Sequence, residues 1–179
     1  GKSFSDLGLL HLMATCPDSE MLNVGKADYE KLEELSMRIE DEIILKPQDL
    51  PLLEDAYTFY ATLKTMWLMA RWIDEENEET LCDDFGVGPG DIYRHVESAQ
   101  WLLYAAGQIA QLNQFKNLTF VIDELRRRVR YGIRSELVEL STLQGVGRIR
   151  ARTLYAHGYH KISDMQLATA DHLASIKGI

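Results

Sequence analysis

The sequence predicts an all-α protein, and three observations carry that prediction. Apolar residues recur at intervals of three and four along nearly all of the 179 residues, which is the spacing of a buried helix face. No segment shows the convincing alternation of apolar and polar residues that marks a half-buried strand. Helix signals bound most segments, with Ser or Asn before a periodic run and Gly or Pro after it.

The first part of the chain contains six periodic runs. The predicted helices span residues 5–15, 26–44, 50–75, 77–85, 90–111 and 117–131. Ser5 and Asn117 are the expected N-caps, and Gly132 is expected to end the last helix. The run at 50–75 suits two helices or one bent helix at the centre of a bundle, with Trp67 and Trp72 in the core.

The elements become shorter after Gly132, so we place a domain boundary there. Residues 1–132 are predicted to form a helical bundle, and residues 133–179 a small helix–hairpin–helix module. Within the module we expect helices at 134–143 and 148–157, a tight turn at 144–147, and one or two helices at 163–176 capped by Ser163. The chain lacks an initiator Met and stops in "SIKGI". We therefore expect a piece of a longer protein, with its module truncated at the C-terminus.

The net charge of −9 conceals an asymmetry between the two halves. Residues 1–90 carry a net charge of −13, whereas residues 91–179 carry +4. Eight arginines lie within residues 126–152, where the only acidic residues are Glu136 and Glu139. Net charge argues against nucleic acid as a ligand, but local charge argues for it, and local charge sets the field at a binding surface. The acidic run at 74–79 is interpreted as a solvated helix end.

The absence of known catalytic motifs predicts a chain without a catalytic centre of its own. There is no G-x-x-x-x-G-K-[ST], G-x-S-x-G or H-E-x-x-H motif, so we expect no nucleotide, cofactor or metal site in this chain. His157 and His160 are separated by the helix breaker Gly158 and lack a third ligand. Cys16 and Cys82 show neither metal nor disulfide spacing, which favours a reduced, intracellular compartment. No apolar run is long enough to cross a membrane.

The stretch "GVGPGDIYRHVESAQWLLYAA" at 86–106 predicts a helix with two distinct faces. One stripe is apolar throughout, consisting of Ile92, Val96, Ala99, Leu103 and Ala106. The opposite stripe carries Arg94, Ser98 and Trp101. Trp101 either packs against another layer of the bundle or is exposed. An exposed indole can stack on a base of single-stranded nucleic acid, while Arg94 holds a phosphate about 10 Å away along the helix.

The segment "LQGVGRIRARTL" at 143–154 is the most specific motif. It fits the hairpin of a helix–hairpin–helix, in which Gly145 and Gly147 permit a tight turn before a basic helix. Helix N-terminal amides would then contact a DNA phosphate without reading sequence. Arg148 and Arg152, four residues apart, are expected to flank that phosphate, with Arg150 off to the side as a further DNA-binding residue. The alternative is an ordinary turn between packed helices with solvated arginines.

"LASIKGI" at 173–179 resembles a second, truncated hairpin. The arginine run at 126–130 fits a solvated helix end as well as a DNA contact.

These motifs together resemble the C-terminal part of the archaeal Hjm-type helicases. These are superfamily 2, Ski2-like DNA helicases related to human helicase Q and to the helicase region of polymerase theta. The residues that carry the resemblance are "SDLGLLHLMATCPD", "WIDE", "GVGPGDIYRHVESAQWLLYAA" and "LQGVGRIRARTLYAHGY". It covers essentially the whole chain.

The resemblance implies a separate role for each domain of the parent protein. Two motor domains that use ATP and Mg²⁺, and a winged helix, would precede this chain in its parent. A ratchet helix would grip the translocating single strand through Arg94 and Trp101, and the hairpin module would bind the emerging strand as a brake. The resemblance further implies 3′ to 5′ translocation, action on stalled replication forks, and a cytoplasmic, nucleoid-associated protein.

The sequence therefore predicts a DNA-engaging, non-enzymatic part of an ATP-dependent DNA helicase. Its partners would be single-stranded and forked DNA and the motor and winged-helix domains of the parent, with no membrane. One alternative is a helical protein-interaction module whose acidic half docks a basic partner. A second alternative is a binder of forked or duplex DNA that uses the hairpins alone.

Overall fold

Helices make up all of the regular secondary structure in residues 4–166 and 168–179, which the computed structural model describes. The α-helices are α1 (Asp6–Ala14), α2 (Tyr29–Arg38), α3 (Ala56–Ile73), α4 (Glu78–Phe85), α5 (Pro89–Leu112), α6 (Lys116–Tyr131), α7 (Arg148–Ala156), α8 (Ile162–Gln166) and α9 (Ala170–Ser175). Short 3-10 turns occur at Lys26–Asp28, Pro47–Asp49, Pro51–Leu53, Ser135–Leu137 and Leu140–Thr142. The predicted all-α class is confirmed. Residues 1–3 lie outside the described residues, as does Leu167, which fell within the region predicted as helical at 163–176.

The bundle is organised around α3 and α5. Helix α3 packs against α1, α2, α4 and α6, and α5 lies along the length of α6. Leu63, Met66 and Leu68 of α3 are fully buried, so α3 supplies the centre of the core. The predicted Ser5 cap is present, since its hydroxyl accepts a hydrogen bond from the Gly8 N–H at 3.1 Å. Trp72 is buried as expected, and Trp67 is half-buried against Phe85.

A second, smaller hydrophobic cluster lies after Gly132. Its fully buried members are Ile133, Leu137, Leu140, Ala151 and Leu154. They come from the segment after α6 and from α7, so α7 is held by its own core as well as by the bundle. The predicted boundary at 132 stays a prediction.

Several predicted helix limits are wrong. The helix expected at 134–143 is replaced by two 3-10 turns. The Ser141 and Thr142 hydroxyls each donate to the carbonyl three residues earlier, and such local side-chain bonds compete with a continuous helix. The helix expected to reach residue 44 ends at Arg38, after which the chain turns to bury Ile39 and Ile43.

Two predicted N-caps are also wrong. Asn117 lies inside α6, whose cap is Phe115, because the link from α5 is very short and Gln114 turns the chain with φ of 60°. Ser163 lies inside α8. There the Asp164 carboxylate accepts hydrogen bonds from the backbone N–H groups of His160 and Lys161, both at 2.9 Å.

The buried His11 predicts a loss of stability in mild acid. Burial lowers the pKa of His11 from 6.5 to about 4, and its Nε2 lies 3.1 Å from Thr62 Oγ1. The unfolded chain therefore binds the proton more tightly, so the free energy of unfolding falls as the pH drops through 6.5 toward 4. We expect a loss of about 2 kcal/mol from this group between about pH 7 and pH 5, measured by urea denaturation.

Comparison with His11→Gln isolates this contribution, because burial also lowers the pKa of His95 and carboxylates add their own pH dependence. The variant should lose about 2 kcal/mol less than the wild type over the same pH interval. Parallel pH profiles for the two proteins would contradict the assignment.

Candidate nucleic-acid interface

The two faces of α5 are separated as the sequence predicts. The helix begins with Pro89 at its first position, and the Asp91 carboxylate accepts a hydrogen bond from the Gly88 N–H at 2.7 Å. On the inner face, four of the five predicted core residues are buried and the fifth is half-buried: Ile92, Val96, Ala99, Leu103 and Ala106. Helix α5 is thus fixed along one side and leaves the other side open.

Trp101 lies on the open side of α5, and 59% of its surface is exposed. This exposure excludes the packing of Trp101 against another layer of the bundle within the described residues. The side chain of Arg94 is 61% exposed, and Ser98 between them is half-buried. Seven residues separate the indole from the guanidinium, which corresponds to about 10 Å along the axis.

Acidic neighbours hold the Arg94 guanidinium in this structure. It is paired with the carboxylate of Asp91 one turn earlier, and it lies 3.8 Å from Glu20 Oε1. Ion pairs between such exposed side chains are worth about 0–1 kcal/mol. A phosphate can therefore displace them at little cost.

The predicted hairpin forms a tight turn before α7. Gly145 has φ of 78°, a conformation that favours glycine, and the Val146 N–H donates to the Leu143 carbonyl at 3.1 Å. Gly147 is the N-cap of α7. Arg150 is exposed and donates to the Gly145 carbonyl at 2.8 Å, so its guanidinium lies at the hairpin itself.

The other two hairpin arginines point toward the bundle. The Arg148 guanidinium lies 5.3 Å from the centre of the Trp72 ring and donates to the Glu76 carbonyl at 2.6 Å. Burial there lowers the pKa of Arg148. Arg152 lies 2.7 Å from Glu75 Oε2 and 2.8 Å from Glu136 Oε1. A contact of either guanidinium with DNA stays a prediction, and in this arrangement both connect α7 to the end of α3.

The arginines at the end of α6 differ in how far their side chains are buried. Arg128 is buried, where it pairs with Asp6 and donates to the Ile133 carbonyl at 3.3 Å. Arg126 lies over the Tyr104 ring and Arg130 over the Tyr131 ring. Arg127 and Arg130 are exposed. The interpretation of the whole run as a solvated helix end is therefore wrong for Arg128.

Most of this chain matches a known protein family. A family model described as archaeal helicase, domain 4, matches residues 7–132, which include the whole of α5 with Arg94 and Trp101. The chain belongs to the archaeal helicase domain 4 family.

The relatives that this archaeal helicase domain 4 chain matches are each named as an ATP-dependent DNA helicase. The chain is 35% identical to an ATP-dependent DNA helicase Hel308 of Pyrococcus abyssi and 34% identical to that of Pyrococcus horikoshii, over 99% of this chain and 24% of each relative. It is 35% identical to that of Caldivirga maquilingensis over 95% of this chain and 23% of the relative. The chain thus spans about a quarter of the length of the curated relatives it matches.

The archaeal helicase domain 4 chain also has a contact region that the sequence interpretation missed. Residues 74–76 follow α3 and belong to the acidic run at 74–79 that was expected to be a solvated helix end. That expectation is wrong, because Glu75 is half-buried against Arg152 and Glu76 pairs with Arg71. The hydrogen bond from Arg71 holds the pKa of Glu76 below its usual value. The Arg134 side chain also donates to the Asp74 carbonyl at 3.2 Å.

No three side chains of His, Cys, Asp or Glu within residues 4–166 and 168–179 are grouped so as to hold a metal ion. Across the same residues, every helix is too short or too polar to traverse a bilayer.

Proposed function

We propose that this chain is the strand-gripping part of an archaeal ATP-dependent DNA helicase. The observation that carries the proposal is the exposed Trp101 beside Arg94 on α5, within the residues matched by the helicase family model. ATP and Mg²⁺ belong to motor domains elsewhere in the parent chain, so the role of this part is binding and not catalysis.

The exposed side of α5 suits single-stranded rather than duplex DNA. An indole stacks on the face of a base, and base faces are accessible only when the strand is unpaired. Stacking of this kind is worth about 1–3 kcal/mol per base and does not depend on sequence. Arg94 supplies a cation for the adjoining phosphate, and the rigid, well-packed α5 fixes the distance between the two contacts.

The proposed mechanism is passive. Between ATP-driven steps of the motor domains, stacking on Trp101 and phosphate contact at Arg94 resist backward slippage of the strand. The hairpin at Gly145, Gly147 and Arg150 then contacts strand that has already passed α5 and slows its movement. We further propose that the parent translocates 3′ to 5′ on forked DNA and that its motor and winged-helix domains close the ring around the strand.

A fluorescence titration with oligo-dT tests the proposal. Single-stranded DNA should quench the emission of the wild-type chain, because Trp101 is the exposed indole and Trp72 is buried. In Trp101→Phe the quenching should largely disappear while weak binding persists. For a site that contacts three or four phosphates, the logarithm of the affinity should fall against the logarithm of salt concentration with a slope of about −2 to −3.

Two results would contradict this function. A chain that fails to bind oligo-dT but captures a basic protein would be an interaction module. Preference for forked or duplex DNA that is unchanged by Trp101→Phe would assign binding to the hairpin alone.

A further inference from the structure

Two carboxylates lie around the Arg94 guanidinium on the exposed side of α5. Asp91, one turn earlier on the same helix, pairs through Oδ1 with Nη2 of Arg94. Glu20 comes from the segment after α1, and its Oε1 lies 3.8 Å from the same nitrogen. The three side chains together carry a net negative charge at the place where a phosphate is proposed to bind.

The nitrogen that these carboxylates contact is the one that a phosphate needs for a two-point contact. A guanidinium binds an oxyanion through two parallel N–H groups, either those of Nε and Nη2 or those of Nη1 and Nη2. Nη2 belongs to both pairs. A phosphate therefore either contacts Arg94 through a single nitrogen or displaces a carboxylate to contact it through two.

The Asp91 carboxylate is held in place independently of Arg94. Its other oxygen, Oδ2, accepts a hydrogen bond from the Gly88 N–H at 2.7 Å. Asp91 also lies in the first turn of α5, where the helix dipole favours a negative charge. Because these interactions do not involve Arg94, the carboxylate keeps its position when a phosphate takes the guanidinium, and it can pair with Arg94 again when the phosphate leaves.

We propose that Asp91 and Glu20 compete with the DNA backbone for Arg94 and so limit how tightly α5 holds the strand. Both act through Arg94 and are positioning residues that do not contact DNA themselves. This competition rests on the proposed function, because it concerns the phosphate contact of that same site. Its consequence is release of the strand. As the strand is drawn past α5, Arg94 returns to a carboxylate between one phosphate and the next, so the contact does not block forward movement.

Asp91→Asn should therefore tighten the binding of single-stranded DNA. The amide oxygen can still accept the Gly88 hydrogen bond, but the neutral side chain no longer holds the Arg94 cation. For labelled oligo-dT, anisotropy should show a Kd about threefold lower than in the wild type, mainly through slower dissociation. The salt slope should become steeper by about 0.7. Glu20→Gln should act in the same direction by a smaller factor, because its contact with Arg94 is longer.

Glu97→Gln separates the pairing with Arg94 from the general effect of charge. Glu97 is an exposed carboxylate of α5, one turn beyond Arg94, and no cation in the described part of the chain pairs with it. Its replacement removes the same charge without releasing Arg94, so it should tighten binding much less than Asp91→Asn does. In an Arg94→Ala background the two substitutions should have equal effects. Urea denaturation verifies that each variant is folded.

The possible failures are distinguishable. If oligo-dT quenches Trp101 in the wild type but Asp91→Asn binds no more tightly than Glu97→Gln, the competition is overturned and the proposed function stands. Tightening by Asp91→Asn that depends on Arg94, without any Trp101 quenching in the wild type, supports the competition and overturns the stacking grip. Tightening that persists unchanged in Arg94→Ala reveals direct repulsion between Asp91 and DNA, and this also overturns the competition.

Discussion

Replacement of Trp101 by Ala is expected to weaken binding of single-stranded DNA by about 1–3 kcal/mol, or about 5- to 150-fold in Kd. The indole is 59% exposed, so its loss removes the stacking surface and little packing. For the same reason the free energy of unfolding should stay within about 0.5 kcal/mol of the wild-type value. Anisotropy with labelled oligo-dT measures the first quantity, and urea denaturation measures the second.

Phe120→Ala is the matched control for this experiment. Phe120 is an exposed aromatic residue of α6 with 69% of its surface accessible, and it lies outside the Arg94–Trp101 side of α5. It should change neither binding nor stability appreciably. If Trp101→Ala instead lowers the free energy of unfolding by several kcal/mol, or binds as the wild type does, Trp101 does not grip a strand.

Gly132→Ala should be among the most destabilising single-methyl additions in the chain. Gly132 ends α6 with φ of 61°, and this conformation costs a residue with a Cβ about 1–2 kcal/mol. The added carbon would also lie 2.6 Å from Cε2 and 2.8 Å from Cζ2 of the Trp72 ring. Overpacking of a rigid aromatic core adds about 1–3 kcal/mol. We therefore expect a loss of about 2–5 kcal/mol in the free energy of unfolding.

Gly86→Ala separates the two causes. Gly86 ends α4 with φ of 66°, but a carbon added there meets no atom within 4 Å. It should cost only the backbone contribution of about 1–2 kcal/mol. Chemical denaturation of both variants gives the comparison. Equal losses for the two would show that the Trp72 ring moves aside without cost.

The parts of the site that were predictable from the sequence are those set by local periodicity. The helical spacing around 86–106 separates Ile92 and Leu103 from Trp101 without any knowledge of tertiary structure, because a helix places residues four and seven apart on one side. The tight turn at Gly145 is likewise local, since two glycines around an apolar residue allow it.

The parts that were not predictable depend on contacts between distant segments. Arg148 donates to a carbonyl 72 residues earlier, and Arg152 pairs with a carboxylate 77 residues earlier. Helical spacing places Arg148 and Arg152 on one side of α7 and Arg150 on another, but it does not show which side faces the bundle. The structure leaves Arg150 at the hairpin. The only available signal was charge complementarity between the basic helix and residues 74–76. The same reasoning explains the error at Asn117, where the shortness of the α5–α6 link overrides a favourable cap residue.

The position of Trp72 has a mechanical consequence. Its indole N–H donates to the Val129 carbonyl at 2.7 Å, its ring packs against the turn at Gly132, and the Arg148 guanidinium lies over the ring. A force applied to the hairpin is therefore transmitted through Arg148 into the bundle interior, in parallel with the covalent link after α6. Under such a force the hairpin, α3 and the end of α6 would move as one body.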